Sequence, residues 1–404
     1  MNSLKLFIMQ LNLFQKQNQQ QILTDLFQSY FDARKNKRNT INALAFEINM
    51  ENNLFELFNE IINYKYQAKP SICFMVNKPV KREIFAADFR DRVVHHFIYN
   101  YISPIFEKTF INDSYSCRKN KGTNYGIKRI DHFIRSCSQN YSKDCYILKL
   151  DIRGYFMSIN KNILFSKVKQ HLLKQRLKIT FDLSLVLWLA EKTIFNDPVQ
   201  NCRIKGKRED WQGLPPSKSL FKVPKTNGLP IGNLTSQLFG NVYLNEFDHF
   251  VKRDLEIRYY GRYVDDCVLV HSNKSYLQML IPVIRNRLQN ELQLELHPKK
   301  IYLQHFSKGV KYLGAVIKPH RIYIANRTKG NFYQALQKQN SIARDHKPTP
   351  EEKEQFISSM NSYLGIAKHY KTYKIRKDIV KNNLSCWWWN YVSVKNNFGK
   401  FQLK

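Results

Sequence analysis

Acidic residues are scarce in this chain. Its 404 residues hold 32 Asp and Glu against 65 Lys and Arg, a net charge of +33. An excess that large points to a polyanionic partner, with nucleic acid the first candidate. Long apolar runs are missing as well. No stretch of ~20 apolar residues exists, so no transmembrane span and no membrane partner are expected. The first ten residues include a short apolar run without a small-residue cleavage site, which argues against a signal peptide. Paired cysteines are also absent. The seven, at 73, 117, 137, 145, 202, 267 and 386, form no Cys-x-x-Cys pair, and the count is odd. This argues against a zinc site or a disulfide framework and for a reducing compartment, so the expected location is the cytoplasm. Nor is there an internal repeat.

What is present suits a globular protein of two or three subdomains. Hydrophobic residues make up 43%. Aromatics reach 14%, with 23 Tyr and 27 Phe, and they serve base stacking as well as core packing. One stretch organises the rest: Tyr-Val-Asp-Asp at 263–266, flanked on both sides by β-branched and aromatic residues. It reads as two strands with adjacent carboxylates at the turn. Burying two neighbouring negative charges is costly unless a cation neutralises them. On these four residues alone, a solvated turn and a divalent-cation site stay equally open. Upstream, a hydrophobic strand ends near Asp151, and a strand-end carboxylate beside a carboxylate hairpin suits two-metal phosphoryl transfer.

Taken together, Asp151 with Phe156, Gly232 in Leu-Pro-Ile-Gly, and Tyr-Val-Asp-Asp at 263–266 resemble motifs A, B and C of a reverse transcriptase palm, in that order. The residue before Gly232 sharpens the resemblance. Most reverse transcriptases carry Gln there, whereas this chain has Ile231, with Ser236 and Gln237 four and five residues after Gly232. That pattern is similar to reverse transcriptases of diversity-generating retroelements, a bacterial and phage family related to group II intron enzymes. Leu-Pro-Pro-Ser-Lys at 214–218 and the stretch 259–266 fit the same family. The resemblance covers most of residues 30–375.

It implies an α+β right-hand polymerase with fingers, a palm of antiparallel sheet plus helices, and a helical thumb. The expected division is an N-terminal helical extension at 1–70, fingers at 71–145, and a palm at 146–320 with a fingers insertion at about 161–226. A helical thumb and C-terminal tail take up 321–404. Residues 15–21, rich in Gln and Asn, read as a loose surface turn. Ile41, Leu44 and Ile48 recur at helical spacing. Strands are predicted at 72–76 and 83–87, helices from 89, over 127–137, twice within 161–195, over 233–250 and over 275–292. Residues 211–221 should be an irregular Pro-rich connector. Thr349, Pro350 and Glu352 spell a helix start with a capping box. Trp387, Trp388 and Trp389 read as core or as a docking surface.

By resemblance, Asp151, Asp265 and Asp266, with the Ile152 carbonyl, would hold two Mg²⁺, with Mn²⁺ as a substitute. Lys300 matches a motif D lysine proposed as general acid, with Lys299 adjacent. Lys78, Lys81 and Arg82 on a fingers hairpin, with Phe156 as steric gate, Ile231, Gly232 and Gln237, would meet the nucleotide. Asp91 and Arg92 match a segment that follows this hairpin in group II intron and related enzymes. Nucleic acid would meet Tyr263, and Leu313 and Gly314 of a motif E hairpin. The basic clusters Arg34, Lys35, Lys37, Arg38 and Arg118, Lys119, Lys121 read as phosphate contacts, with backbone amides at Gly122 and Gly126 beside the second. Each cluster also reads as a solvated surface.

The activity implied is RNA-directed DNA polymerisation that makes error-prone cDNA from a template-repeat RNA for mutagenic retrohoming. Partners would be a structured template RNA, cDNA or primer, dNTPs and a small basic accessory variability protein. Two rivals stay open: a retron-like or phage-defence reverse transcriptase, and a catalytically dead RNA-binding scaffold.

Overall fold

The computed structural model describes residues 2–35, 40–77 and 80–404. Three helices open the chain: α1 (Asn2–Arg34), α2 (Ile41–Glu47) and α3 (Met50–Ile62). The Gln/Asn-rich stretch 15–21 lies inside α1 and is not a turn. Gln and Lys are good helix formers, and no Gly or Pro interrupts the run. In α2 the apolar stripe is not the buried face. Ile41 and Ile48 are 84% and 87% exposed, while Ala43 and Phe46 are buried. Phe46 packs against Phe89, ring centroids 5.3 Å apart, and that anchor turns the stripe outward.

The strands β1 (Ile72–Val76) and β2 (Arg82–Ala86) pair antiparallel, Phe74 opposite Ile84. Next come α4 (Phe89–Glu107), capped by the Asp88 side chain, and α5 (Thr123–Cys137). Strand β3 (Tyr146–Asp151) leads through α6 (Tyr155–Ser158) to α7 (Lys161–Lys174) and α8 (Leu183–Phe195). The following connector is largely irregular, as its prolines dictate. Its short β4 (Arg203–Ile204) pairs parallel to β1. Glu83 of β2 fastens it: this buried carboxylate accepts from Trp211 Nε1 at 2.7 Å, Ser219 Oγ at 2.8 Å and the Leu220 amide at 2.6 Å.

Helix α9 (Leu234–His249) ends in a π turn, Phe250–Asp254. Then follow β5 (Tyr259–Tyr263), β6 (Asp266–His271), α10 (Lys274–Leu292), β7 (Tyr302–His305), β8 (Val310–Tyr312), β9 (Ala315–Lys318) and β10 (Arg321–Ile324). The chain closes with α11 (Asn326–Asp345), α12 (Pro350–Lys368), α13 (Tyr373–Asn382), β11 (Val392–Lys395) and β12 (Lys400–Leu403).

The central sheet has strand order β5-β6-β3-β7, antiparallel throughout. Strand alternation divides its faces. Leu148 and Leu150, with Cys267 and Leu269, pack into a core shared with α9, α10 and helices α1 to α4. Ile147, Val268 and Val270 face α5 and the β8–β9 hairpin. Lys149 and Asp151 have the parity of Ile147 and so belong to this second face. The C-terminal helices form a separate cluster around Phe356 and Trp388, stacked at 4.1 Å. Trp388 is the buried member of the tryptophan run, and Trp387 is 54% exposed. The capping box is formed: Glu352 N donates to Thr349 Oγ1 at 3.3 Å, and Thr349 N donates to the Glu352 carboxylate at 2.9 Å. The tail is not helical to its end. It closes in the β11–β12 ribbon, where period-two alternation buries Val392 and Phe401. Among the described residues, no helix is long and apolar enough to cross a membrane.

Gly261 of β5 gives a test of this packing. A Cβ there would lie 2.8 Å from Cζ of the fully buried Tyr115 ring. Gly261→Ala is therefore expected to cost ~1–3 kcal/mol through overpacking. Urea unfolding should show a lower midpoint at an unchanged slope.

Candidate active site

In the β3–β6 register Asp151 stands directly opposite Asp266. Tyr263 pairs with Asp266 across β5–β6, so Val264 and Asp265 form the tip. Val264 has φ +56, a left-handed conformation that β-branched residues seldom adopt. Like charges directly opposite each other destabilise a sheet pair. Two lysines offset this. Lys149 Nζ lies 3.1 Å from Asp266 Oδ1, and Lys300 Nζ lies 2.9 Å from both oxygens of Asp151. Asp265 is more embattled: burial, then the charges of Asp266 and Asp151, push its carboxyl up to about 6.

Beside Asp151 lies a cavity of about 320 Å³ lined by Lys149, Lys299, Lys300, Tyr302 and Lys311. Of the two motif D lysines, Lys300 is the one that touches a site carboxylate. Lys149 was not singled out from the sequence. Its signal was available, since a residue two before Asp151 on a strand shares its face.

The nucleotide-side residues divide. Phe156 and Ile231 both pack against the small cluster of Cys73, Phe85, Met157 and Leu220. The Ile231 carbonyl accepts from the Phe85 amide at 2.8 Å. Gly232 has φ +127, and a Cβ there would meet Ile84 Cγ2 at 3.0 Å and the Phe85 carbonyl at 3.1 Å, so only glycine fits the turn. Gly240 of α9 leaves room for the Phe156 ring, whose Cε1 would sit 3.2 Å from a Cβ. Gln237 and Arg82 are exposed. Lys81 donates to the Gln212 carbonyl at 2.7 Å. Lys78 lies outside the described residues.

The expected basic clusters are partly consumed by structure. Arg34 forms a two-pronged pair with Glu47, at 2.5 and 3.2 Å. Lys35 follows α1 and is exposed, and Lys37 and Arg38 lie outside the described residues. Arg118 is not a free phosphate contact. It donates to Glu107 at 2.9 Å and to the carbonyls of Ile111 and Ser114 at 2.7 and 2.9 Å, because the 111–118 loop has carbonyls that strands and helices leave unpaired. The Gly122 and Gly126 amides are likewise engaged, by the carbonyls of Tyr115 and Gly122. Lys121 donates to Asn112 at 2.7 Å, and Lys119 is exposed. Asp91 accepts from Tyr66 at 3.0 Å and the Lys69 amide at 2.7 Å, and Arg92 donates to the Ala87 carbonyl at 3.0 Å. Leu313 and Gly314 form the β8–β9 turn, both at positive φ. Tyr263 is half-buried beside it.

A carboxylate hairpin set against a strand-end carboxylate, on an antiparallel sheet backed by helices, defines a polymerase palm. The reverse transcriptase (RNA-dependent DNA polymerase) family matches residues 76–317. The chain belongs to this family, and its fold is the right-hand polymerase arrangement. Protein YkfC of Escherichia coli strain K12 is 22% identical over 292 residues, 64% of this chain and 69% of that protein. Among solved structures, apo telomerase from Candida tropicalis, truncated from its C-terminal domain, is 14% identical with TM-score 0.45, covering 66% of this chain and 59% of that one. Candida albicans telomerase with a fragment of telomeric RNA is 10% identical with TM-score 0.43, covering 80% and 57%. The chain thus spans under two-thirds of the length of either telomerase.

Enzymes of this family use divalent metal ions. The residues here fit such an ion in donor type and charge. Asp151, Asp265 and Asp266 are hard oxygen donors, and the raised Asp265 carboxyl marks a repulsion that a cation would relieve. They are not a ready-made cage: among the described residues, no three acidic, His or Cys side chains converge as a metal-binding group. Lys149 and Lys300 hold two of the carboxylates instead.

The electrostatics give a prediction with a definite sign. The Asp265 carboxyl binds its proton more tightly folded, at about 6, than at its ordinary 3.8. Between those values the folded chain holds more protons, so stability falls as pH rises through the window. Above it the penalty is complete. Asp265→Asn should therefore raise stability near neutral pH by ~1–2 kcal/mol in EDTA. The gain should vanish below the window, as read from unfolding midpoints across pH.

Proposed function

We propose that this chain makes cDNA on an RNA template, as the reverse transcriptase of a diversity-generating retroelement. The observation that carries the polymerase reading is the Asp151–Asp266 opposition with Asp265 at the turn, inside the segment that matches the family. Asp151, Asp265, Asp266 and the Ile152 carbonyl would hold two divalent ions, Mg²⁺ by preference. When bound, these supply Lewis-acid activation of a primer 3′-hydroxyl and charge neutralisation at the triphosphate. Phe156, seated over Gly240, bars a 2′-hydroxyl. Lys300, 2.9 Å from both Asp151 oxygens, stands beside the place where a leaving pyrophosphate would need a proton donor. The lysine-lined cavity attracts polyphosphate. Template RNA, primer and dNTPs are the partners, with a small basic accessory protein, in the cytoplasm of a bacterium.

Primer extension on RNA, with and without Mg²⁺, tests this reading. Asp151→Asn should slow extension by at least ~1,000-fold, since lost metal-based stabilisation amounts to several kcal/mol. RNA affinity should stay near wild type. A variant retaining a tenth of the rate would sink the assignment.

The retroelement reading rests on Ile231. A Gln before the glycine can donate and accept hydrogen bonds beside the incoming nucleotide, and Ile can do neither. Apolar contact discriminates weakly among similar shapes, so misincorporation should be high. By family likeness it should concentrate opposite template adenines. Ile231→Gln is expected to lower it while extension continues, as read by deep sequencing of cDNA from one RNA template. Accurate wild-type copying opposite adenine would favour a retron-like or defence enzyme. Equal error in both enzymes would clear Ile231 of the cause.

A further inference from the structure

Arg262 is the most deeply buried cation among the described residues, with no exposed side-chain surface. Its Nε and Nη2 donate to the two oxygens of the equally buried Asp248, at 2.7 and 2.6 Å. Tyr260 donates to the same carboxylate at 2.7 Å. Asp248 lies near the end of α9, the helix that starts just after the Ile231–Gly232 turn. One guanidinium nitrogen remains. Nη1 donates to the Val264 carbonyl at 2.8 Å.

That carbonyl belongs to the residue at φ +56, and its peptide leads directly into Asp265. A peptide unit is planar, so fixing its oxygen fixes the nitrogen and Cα that follow. A β-branched residue does not keep a left-handed conformation unless its surroundings impose it. Arg262 supplies the imposing contact. It is anchored by Asp248, and its own backbone is clasped by Asp113 and Tyr115, with Arg262 N donating to the Asp113 carbonyl at 2.8 Å and Tyr115 N donating to the Arg262 carbonyl at 2.9 Å.

We propose that Arg262 is the positioning residue of the carboxylate turn. Through the Val264 carbonyl it sets the peptide plane that carries Asp265, and through Asp248 it ties that plane to the helix on the nucleotide side. For its kinetic consequences the inference rests on the polymerase reading, and its geometric core does not. Arg262 touches neither substrate nor reacting atoms. A lysine would keep the charge but could not hold Asp248 with two nitrogens and Val264 with a third.

The test compares Arg262→Lys with wild type, each with and without Val264→Gly. Glycine enters the left-handed region without penalty, so the turn no longer needs an external clamp. Arg262→Lys should lower kcat on the order of 100-fold, the scale of a 1 Å misplacement. The dNTP KM and the RNA affinity should change by less than about twofold, the mark of an interaction felt in the transition state. Adding Val264→Gly should recover about tenfold, a coupling that independent sites do not show. Mn²⁺ titrated against the primer-free protein by paramagnetic resonance should bind about tenfold more weakly to Arg262→Lys. Should that variant fail to fold, the triple exchange Arg262→Met, Asp248→Leu, Tyr260→Phe removes the buried polar set together, which cores often tolerate, and the same measurements apply. A folded variant with wild-type kcat and Mn²⁺ affinity overturns the proposal. So does a loss that is equal with and without Val264→Gly. If wild type itself extends no primer on RNA, the polymerase reading falls, and the Mn²⁺ measurement still decides the role of Arg262.

Discussion

Three carboxylates held within one sheet corner set the terms for everything around them. The β3–β6 register places Asp151 against Asp266, and the turn adds Asp265. Sheet pairing alone would not choose this, because like charges opposite each other are unfavourable. The hydrophobic residues of the same strands impose it. A one-residue slip of β3 would move Leu148 and Leu150 out of the core and Lys149 into it. The repulsion is therefore fixed by burial elsewhere in the strands, and it stays as a standing demand for positive charge. Lys149 meets that demand diagonally across the sheet, and Lys300 meets it from the segment leading into β7.

The same logic accounts for the number of buried contacts around the corner. A turn of mutually repelling groups relaxes outward unless it is held. Gly261 lets the phenol end of Tyr115 approach β5 closely, the Arg262–Asp248 pair crosses from sheet to helix, and the Ile231 carbonyl is pinned to the β1–β2 hairpin at Phe85. A fully buried ion pair adds little net stability compared with apolar packing. Its presence here is accounted for by direction: a guanidinium can aim a third donor at the Val264 carbonyl, and an aliphatic side chain cannot.

Much of this was legible in the residues. Strand–turn–strand around 263–266, the strand ending at Asp151, the hairpin at 72–86 and the Thr349 capping box all follow from alternation, turn chemistry and capping. The strand bounds fell within a residue of those observed. What was not legible depended on tertiary contact. Ile41, Leu44 and Ile48 have perfect helical spacing, yet Phe46 on the other side won the core by meeting Phe89. The Gln-rich stretch reads as a turn because polarity resembles a loop, although Gln and Lys favour helix. Arg118 sits in a run of Lys, Gly and Tyr that reads as phosphate-binding, but its guanidinium is engaged by the loop carbonyls of Ile111 and Ser114. Arg262 was equally hidden. One arginine before Tyr-Val-Asp-Asp reads as a strand residue until Asp248 is found beside it.

These losses bear differently on the site and on the partner. An arginine whose donors are engaged within the fold has fewer left for RNA, so local basic clusters are weak guides to a nucleic-acid surface. The half-exposed Arg34, paired with Glu47, and the buried Arg118, paired with Glu107, both have donors engaged in this way. Net charge is immune to the same error. Each internal ion pair removes one acid for every base. Even if all 32 acidic residues found a basic partner, an excess of 33 positive charges would remain on the chain. That excess must face solvent or a ligand, since an unpaired buried cation is too costly to keep. It therefore supports a polyanionic partner whichever particular lysines make the contacts.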